Sequence, residues 1–102
     1  MNEEKIFGII ATAGDAKGTA HEALNYAEKF EFEKAEELME QASKTMTEAH
    51  KLQTEMIHAE AAGDKVDVNI ILIHAQDHLM TAMSEINMIE RFIKMYKTMS
   101  ER

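Results

Sequence analysis

The chain has no cysteine, no proline and no tryptophan, and among its 102 residues there are only four glycines, four phenylalanines and two tyrosines. Without cysteine there can be no disulfide, no thiolate metal site and no thiol nucleophile, and a reducing compartment is permitted. Without proline and with little glycine, few residues can interrupt a helix. No stretch approaches the roughly 20 apolar residues of a membrane span. The opening Met1-Asn2-Glu3-Glu4-Lys5 lacks the basic stretch and apolar core of a secretory signal. A soluble cytoplasmic protein without membrane insertion is the expectation. Basic residues are also in deficit, 11 against 19 acidic ones, for a formal charge of −8. Phosphate neutralisation needs clustered Lys and Arg, so nucleic acid is disfavoured as a partner. An acidic chain favours encounter with basic protein surfaces.

What the chain does contain is Ala, Glu, Lys, Leu and Met, all good helix formers. The expected fold is all-α, a single domain over residues 1–102 with three helices at about 2–30, 32–62 and 67–100. In the first, Asn2 is placed to cap, and Ile6, Ile9, Ala13, Ala16, Ala20, Ala23, Ala27 and Phe30 recur at alternating spacings of three and four. Most of this seam is alanine, which lets a partner helix approach closely. Gly8, Gly14 and Gly18 extend the small-residue surface and predict close backbone approach, with a kink near Gly14 as the alternative. Asp15 and Lys17 read as solvated charges.

A turn around Glu31 precedes the second seam, Ala35, Leu38, Ala42, Thr45, Ala49, Leu52, Met56 and Ala59, and Gly63 is placed to end that helix. Short connections between long helices predict antiparallel neighbours. Val66 to Ile73 is rich enough in Val and Ile to suggest a strand, but the continuing helical period overrides it, with Asp67 or Asn69 as the cap. The third seam is Leu72, Ala75, Leu79, Ala82, Ile86, Ile89, Ile93 and Tyr96. Most of the nine methionines are expected in the core.

The third helix carries a second stripe, Ile70, Ile73, Asp77, Met80, Ser84, Met88 and Met95. Three helices from one chain cover only one side of it, so a homo-oligomer with facing third helices is expected. Asp77 lies on that self-facing stripe. Carboxylates brought together about a symmetry axis repel, so they share protons or are neutralised by a cation. Oxygen-only ligation suits a hard ion such as magnesium or calcium better than zinc.

The stretch His74-Ala75-Gln76-Asp77-His78-Leu79-Met80-Thr81 concentrates the chemistry. Positions i, i+3 and i+4 share one side of a helix, so His74, Asp77 and His78 are expected close together. Two histidines one turn apart can begin a zinc site, although no third ligand has motif spacing. They can be ordinary interface residues. One can also be a phosphorylatable nucleophile, since an imidazole is largely neutral at physiological pH. Glu55-Met56-Ile57-His58 fits one Glu-x-x-His element of di-iron bundles, but that fold needs two such elements on four helices. His50 and His58 are expected at the surface or in helix packing.

The His74–Thr81 stretch resembles the active-site motif of the enzyme IIA components of the bacterial phosphoenolpyruvate:sugar phosphotransferase system, lactose/cellobiose/chitobiose family. Ala13-Gly14-Asp15-Ala16-Lys17 and Glu48-Ala49-His50-Lys51-Leu52-Gln53-Thr54 are similar to two further stretches of that family, in the same order. The resemblance implies a homotrimer of antiparallel three-helix subunits. It implies that His74 accepts a phosphoryl group from the histidine of HPr and passes it to the cysteine of the cognate enzyme IIB. It further implies that Asp77 surrounds a divalent cation on the trimer axis, with magnesium the expected ion. His78, if protonated, and Gln76 are the candidates to stabilise the phosphoryl charge, from the same or a neighbouring subunit. Ala75 stands where lactose-type members often have glycine, which leans toward the cellobiose/chitobiose branch; the disaccharide itself would be bound by the membrane component. The alternatives are a histidine phosphotransfer domain of two-component signalling, disfavoured because Leu79-Met80 stand near where such domains favour a lysine-glycine pair, and a non-catalytic metal-binding helical oligomer.

Overall fold

The computed structural model describes residues 2–102, the side chain of Asn2 excepted, and comprises three helices: α1 Asn2–Glu28, α2 Phe32–Ala61 and α3 Ile70–Ser100. The cap expected of Asn2 therefore lies outside what is described. No strand occurs among the described residues. None of the helices is long and apolar enough to cross a membrane. The molecule is a rod of 56 × 21 × 16 Å. Lys5 of α1 meets Glu55 of α2 at 3.4 Å, and Lys97 of α3 meets Glu36 of α2 at 3.2 Å. α2 thus runs antiparallel to both of its neighbours. His21 lies 2.9 Å from Glu85, which places α1 and α3 side by side in the same direction.

The alanine seam explains this arrangement. Ile6, Ile9, Ala13, Ala16, Ala20, Ala23 and Ala27 are all buried. Both other helices pack chiefly on α1 and only slightly on each other. A helix whose contact face is methyl groups admits its neighbours close to its backbone, so the bundle is assembled around α1. The core on the other side comes from Ala35, Leu38, Ala42, Met46, Ala49 and Met56 of α2 and from Ala75, Leu79, Ala82, Ile86, Ile89 and Ile93 of α3. No polar or charged side chain is buried among the described residues. The expected seam residues Thr45, Leu52 and Ala59 are only half-buried, while Met46, outside the expected seam, takes a core position.

The helix ends follow local chemistry. Asn69 accepts the Leu72 amide at 2.9 Å, which selects it over Asp67 as the cap of α3. At the end of α2, Gly63 adopts φ 106°; its amide donates to Glu60 at 3.1 Å and that of Asp64 to Ala59 at 3.0 Å. These paired bonds form a Schellman termination around a left-handed residue. α1 ends in the same way without a glycine. The Phe30 amide donates to Ala27 at 2.9 Å, the Glu31 amide to Tyr26 at 3.0 Å, and Phe30 itself stands at φ 61°. Phe30 was expected to close the first seam; it is instead the non-helical residue of the stop, half exposed and stacked on Phe32 at 5.7 Å. A bulky residue at positive φ is costly, and the ring stack offsets part of that cost.

Two further expectations are corrected. Among the described residues only Met46 and Met56 of the methionines are buried, with Met39 and Met83 packed against the core. Met80, Met88, Met95 and Met99 are more than half exposed because they lie on α3 away from α1. Of the helical glycines, Gly8 lies against Leu52 and Gly14 against His78, whereas Gly18 faces open space. Helix α1 continues through all three. Gly18→Ala should therefore raise unfolding stability by about 0.5–1 kcal/mol. Gly63→Ala, equally unobstructed but at φ 106°, should lower it by about 1 kcal/mol or more. Urea titrations at one fixed protein concentration check both signs.

Candidate functional site

The Asn69 cap sets the phase of α3, and with it the direction of every side chain in the motif. Ala75 and Leu79 are fully buried against α1. His74 and His78, one residue before each, lie along one edge of that contact. His78 is half-buried and His74 is exposed. Their rings are nearly parallel, 9° between planes, with centroids 5.9 Å apart. The ring of His78 sits against Gly14, its Nε2 3.2 Å from the point where a Cβ would stand there.

Asp77 parts from this pair. It is exposed, lies about 60° around the helix from His74, and enters none of the ion pairs or side-chain hydrogen bonds of the described residues. Its neighbours one turn away on the same stripe are Ile73 and Met80, each more than half exposed. The whole stripe expected to face other subunits is in fact uncovered by this chain: Ile70, Ile73, Met80, Met88 and Met95 all stand out from it. Thr81 bonds back to the carbonyls of Asp77 at 2.8 Å and His78 at 3.2 Å, satisfying its hydroxyl within the helix.

Gln76 is turned toward α2. Its side-chain oxygen accepts a hydrogen bond from the Gln53 amide, a partly buried contact that ties α3 to α2. Two positions along a helix do not face one another, so within one subunit Gln76 is directed away from the His74 ring. Gln53 belongs to the second family-like stretch, so two of those stretches meet through this bond. The first meets the motif through Gly14 and His78.

The remaining candidates are not drawn into the site. His50 and His58 are exposed on α2. Glu55 pairs with Lys5 at 3.4 Å. Among the described residues no three His, Asp or Glu side chains converge in a way that would hold a metal ion. A cation at Asp77 would need carboxylates from other copies of the chain.

A cluster that the sequence reading passed over lies two turns along α3. Glu85 Oε1 accepts a hydrogen bond from His21 Nε2 at 2.9 Å, and Lys17 approaches the other oxygen at 3.4 Å. Lys17 is therefore not merely a solvated charge; it clamps α1 to α3. The hydrogen bond from His21 is the main reason that the Glu85 carboxyl is held below its ordinary range, against an opposing effect of burial and with a further lowering by Lys17. A signal was available in the sequence: His21 follows seam residue Ala20, and Glu85 precedes seam residue Ile86. Because the folded value is lowered, the contribution is present above the ordinary glutamate value and is lost as pH falls through the lowered one. Glu85→Gln should cost about 0.5 kcal/mol or less at neutral pH, as exposed pairs do. The difference from wild type should shrink as pH falls below the ordinary glutamate range and through the lowered value, as read by denaturation across an acid pH series.

Residues 4–97 match the family model for the lactose/cellobiose-specific IIA subunit of the PTS system. The chain is 42% identical over 101 residues to the lactose-specific EIIA component of Staphylococcus epidermidis, covering 95% of this chain and 97% of that protein. It superposes with a TM-score of 0.96 on the crystal structure of the PTS cellobiose-specific enzyme IIA from Bacillus anthracis, at 38% identity, over 100% of this chain and 94% of that one. It also resembles the IIA(chitobiose) component solved in complex with HPr from Escherichia coli, with a TM-score of 0.86 and 34% identity over 98% of this chain and 97% of that one.

Proposed function

The chain belongs to the lactose/cellobiose-specific IIA family of the phosphotransferase system, and on that premise we propose that His74 is the residue that carries its phosphoryl group. As a IIA component it acts in phosphoryl transfer for sugar uptake, which sets the signalling-domain and non-catalytic alternatives aside. The observation that carries the assignment to His74 is its exposure beside a half-buried, nearly parallel His78. A partner can reach the first ring, and the second is fixed close to whatever charge forms there.

The chemistry demands positioning and management of charge more than covalent help from the protein. An unprotonated ring nitrogen of His74 offers its lone pair in line to the phosphorus held by the histidine of HPr. The new P–N bond forms as the old one breaks, and the electron pair returns to the HPr imidazole. In the second transfer a thiolate of enzyme IIB attacks the same phosphorus, and the His74 nitrogen recovers its lone pair. Between the two steps the ring bears up to about two negative charges. His78, in its protonated form, is the nearest group of this chain that could donate to them. Gln76, bonded to Gln53, could serve only across a subunit boundary. HPr was solved with the E. coli chitobiose relative, and the net charge of −8 favours a basic docking face.

The uncovered stripe of α3 supports a homotrimer, with Asp77 of each subunit meeting at the axis. Three carboxylates and no protein cation fit a hard divalent ion, magnesium being the proposed one. The ion would supply charge neutralisation at the axis and take no part in transfer. The transported sugar would be a β-linked disaccharide of the lactose, cellobiose or chitobiose class, bound by the membrane component, with this chain in the cytoplasm.

Incubation with phosphoenolpyruvate, enzyme I and HPr should add an acid-labile mass of about 80 Da, one phosphoryl group, to wild type and to His78→Ala but not to His74→Ala. An adduct retained in His74→Ala would reject the assignment. For the axis, Asp77→Leu removes the repulsion. Its oligomer should resist chelator at least as well as wild type in sedimentation, and greater dissociation of the variant would count against the cation site.

A further inference from the structure

The three glycines of α1 occupy the same helix and do different things, and the middle one is placed where the chemistry is. Gly8 lies 3.2 Å from Leu52 Cδ1, the end of a flexible side chain that can turn aside. Gly18 faces nothing within 4 Å. At Gly14 the atoms that would meet a Cβ are both from one ring, His78 Nε2 at 3.2 Å and Cε1 at 3.9 Å. Ala13 and Ala16, on either side, are fully buried, so α1 is already held against α3 at this level. The missing methyl of Gly14 is the space into which the Nε2–Cε1 edge of the imidazole enters.

We propose that Gly14 is a positioning residue for phosphoryl transfer: its bare backbone seats the His78 ring, and so fixes the plane and the nitrogen that His78 presents to His74. The inference rests on the reading of His74 as the carrier. A ring lodged on helix backbone at one edge loses freedom about its side-chain torsions. The near-parallel relation to His74, 9° between planes, is what that restraint holds. An alanine at residue 14 would have to push the ring out by a few tenths of an ångström or turn it to another rotamer. Either change moves the donor that must follow the charge on His74, and small displacements of a positioned group cost rate steeply. Ordinary helix energetics point the other way, since glycine to alanine inside a helix is favourable where space allows. Gly18 supplies that ordinary case in the same helix.

The test uses the full-length chain with 15N-labelled histidines. Long-range imidazole correlation spectra of the unphosphorylated protein at one fixed pH should show the His78 ring nitrogen and carbon-bound proton shifts displaced in Gly14→Ala. They should be unchanged in Gly18→Ala, with His50 and His58 unmoved in both. Transfer from phospho-HPr should then slow about tenfold in Gly14→Ala, in the rate of transfer at saturation and not in the HPr concentration needed to reach it. In a His78→Ala background, Gly14→Ala should bring no further loss, because the two act as one unit. Unchanged His78 ring shifts in Gly14→Ala would overturn the proposal, as would a further tenfold loss in the double variant. The spectra do not depend on phosphorylation. Displaced His78 signals in Gly14→Ala, together with a wild-type chain that accepts no phosphoryl group on His74, would uphold the seat, overturn its role in transfer, and reject the reading of His74.

Discussion

The close packing of α2 and α3 on the alanine face of α1 is the constraint from which the rest of this molecule follows. Five alanines of α1, from Ala13 to Ala27, are without exposed surface. Each buries little area by itself, so the gain from apolar burial is modest per residue. The benefit is separation: neighbouring backbones come near enough for Gly14 to receive a ring and for Lys17 and His21 to reach Glu85. Larger residues along this face would overpack it and force the helices apart. The two outer helices, spread around a thin central one, meet each other only slightly. α3 consequently keeps a whole apolar side that no residue of its own chain covers.

That geometry divides the motif between two tasks. The edge of α3 nearest α1 holds His78 in place and leaves His74 open to a partner. The adjoining uncovered side presents Asp77 among Ile73 and Met80, suited to other copies of the same chain. Gln76, on a third side, fixes α3 to α2 through Gln53. Three consecutive residues thus point to three sides of the helix, because each step turns it by about 100°. A carrier that must meet two different partners at one imidazole benefits from such a division. In the proposed trimer, the surface between copies need not be disturbed when a partner docks.

Most of the fold was legible because it rests on period. The seams of α1 and α3 follow from spacings of three and four, and the same spacing left the second stripe of α3 without a partner. Gly63 and Asn69 were legible because their side chains, or the lack of one, suit the conformations at helix ends. Phe30 was not, since nothing in a phenylalanine announces a left-handed residue; the hydrogen bonds of the stop and the ring of Phe32 impose it. Gln53 and Gln76, or His21 and Glu85, are joined only by tertiary proximity, and no local pattern records which polar residue will face which. In the motif, helical spacing alone grouped His74, Asp77 and His78. In the structure Asp77 pairs with neither ring and stands between the exposed Ile73 and Met80, on the side of α3 that its own chain leaves uncovered.

The central claim is that one of five histidines receives a phosphoryl group and gives it up again. The most direct measurement is a long-range 1H–15N correlation spectrum of the wild-type chain equilibrated with phosphoenolpyruvate, enzyme I and HPr, repeated after addition of the cognate enzyme IIB. The account predicts a phosphorus-coupled ring nitrogen on His74 alone, which disappears when the acceptor is added. Phosphorus coupling at His78, His50 or any other ring, or a His74 adduct that enzyme IIB cannot discharge, would contradict it.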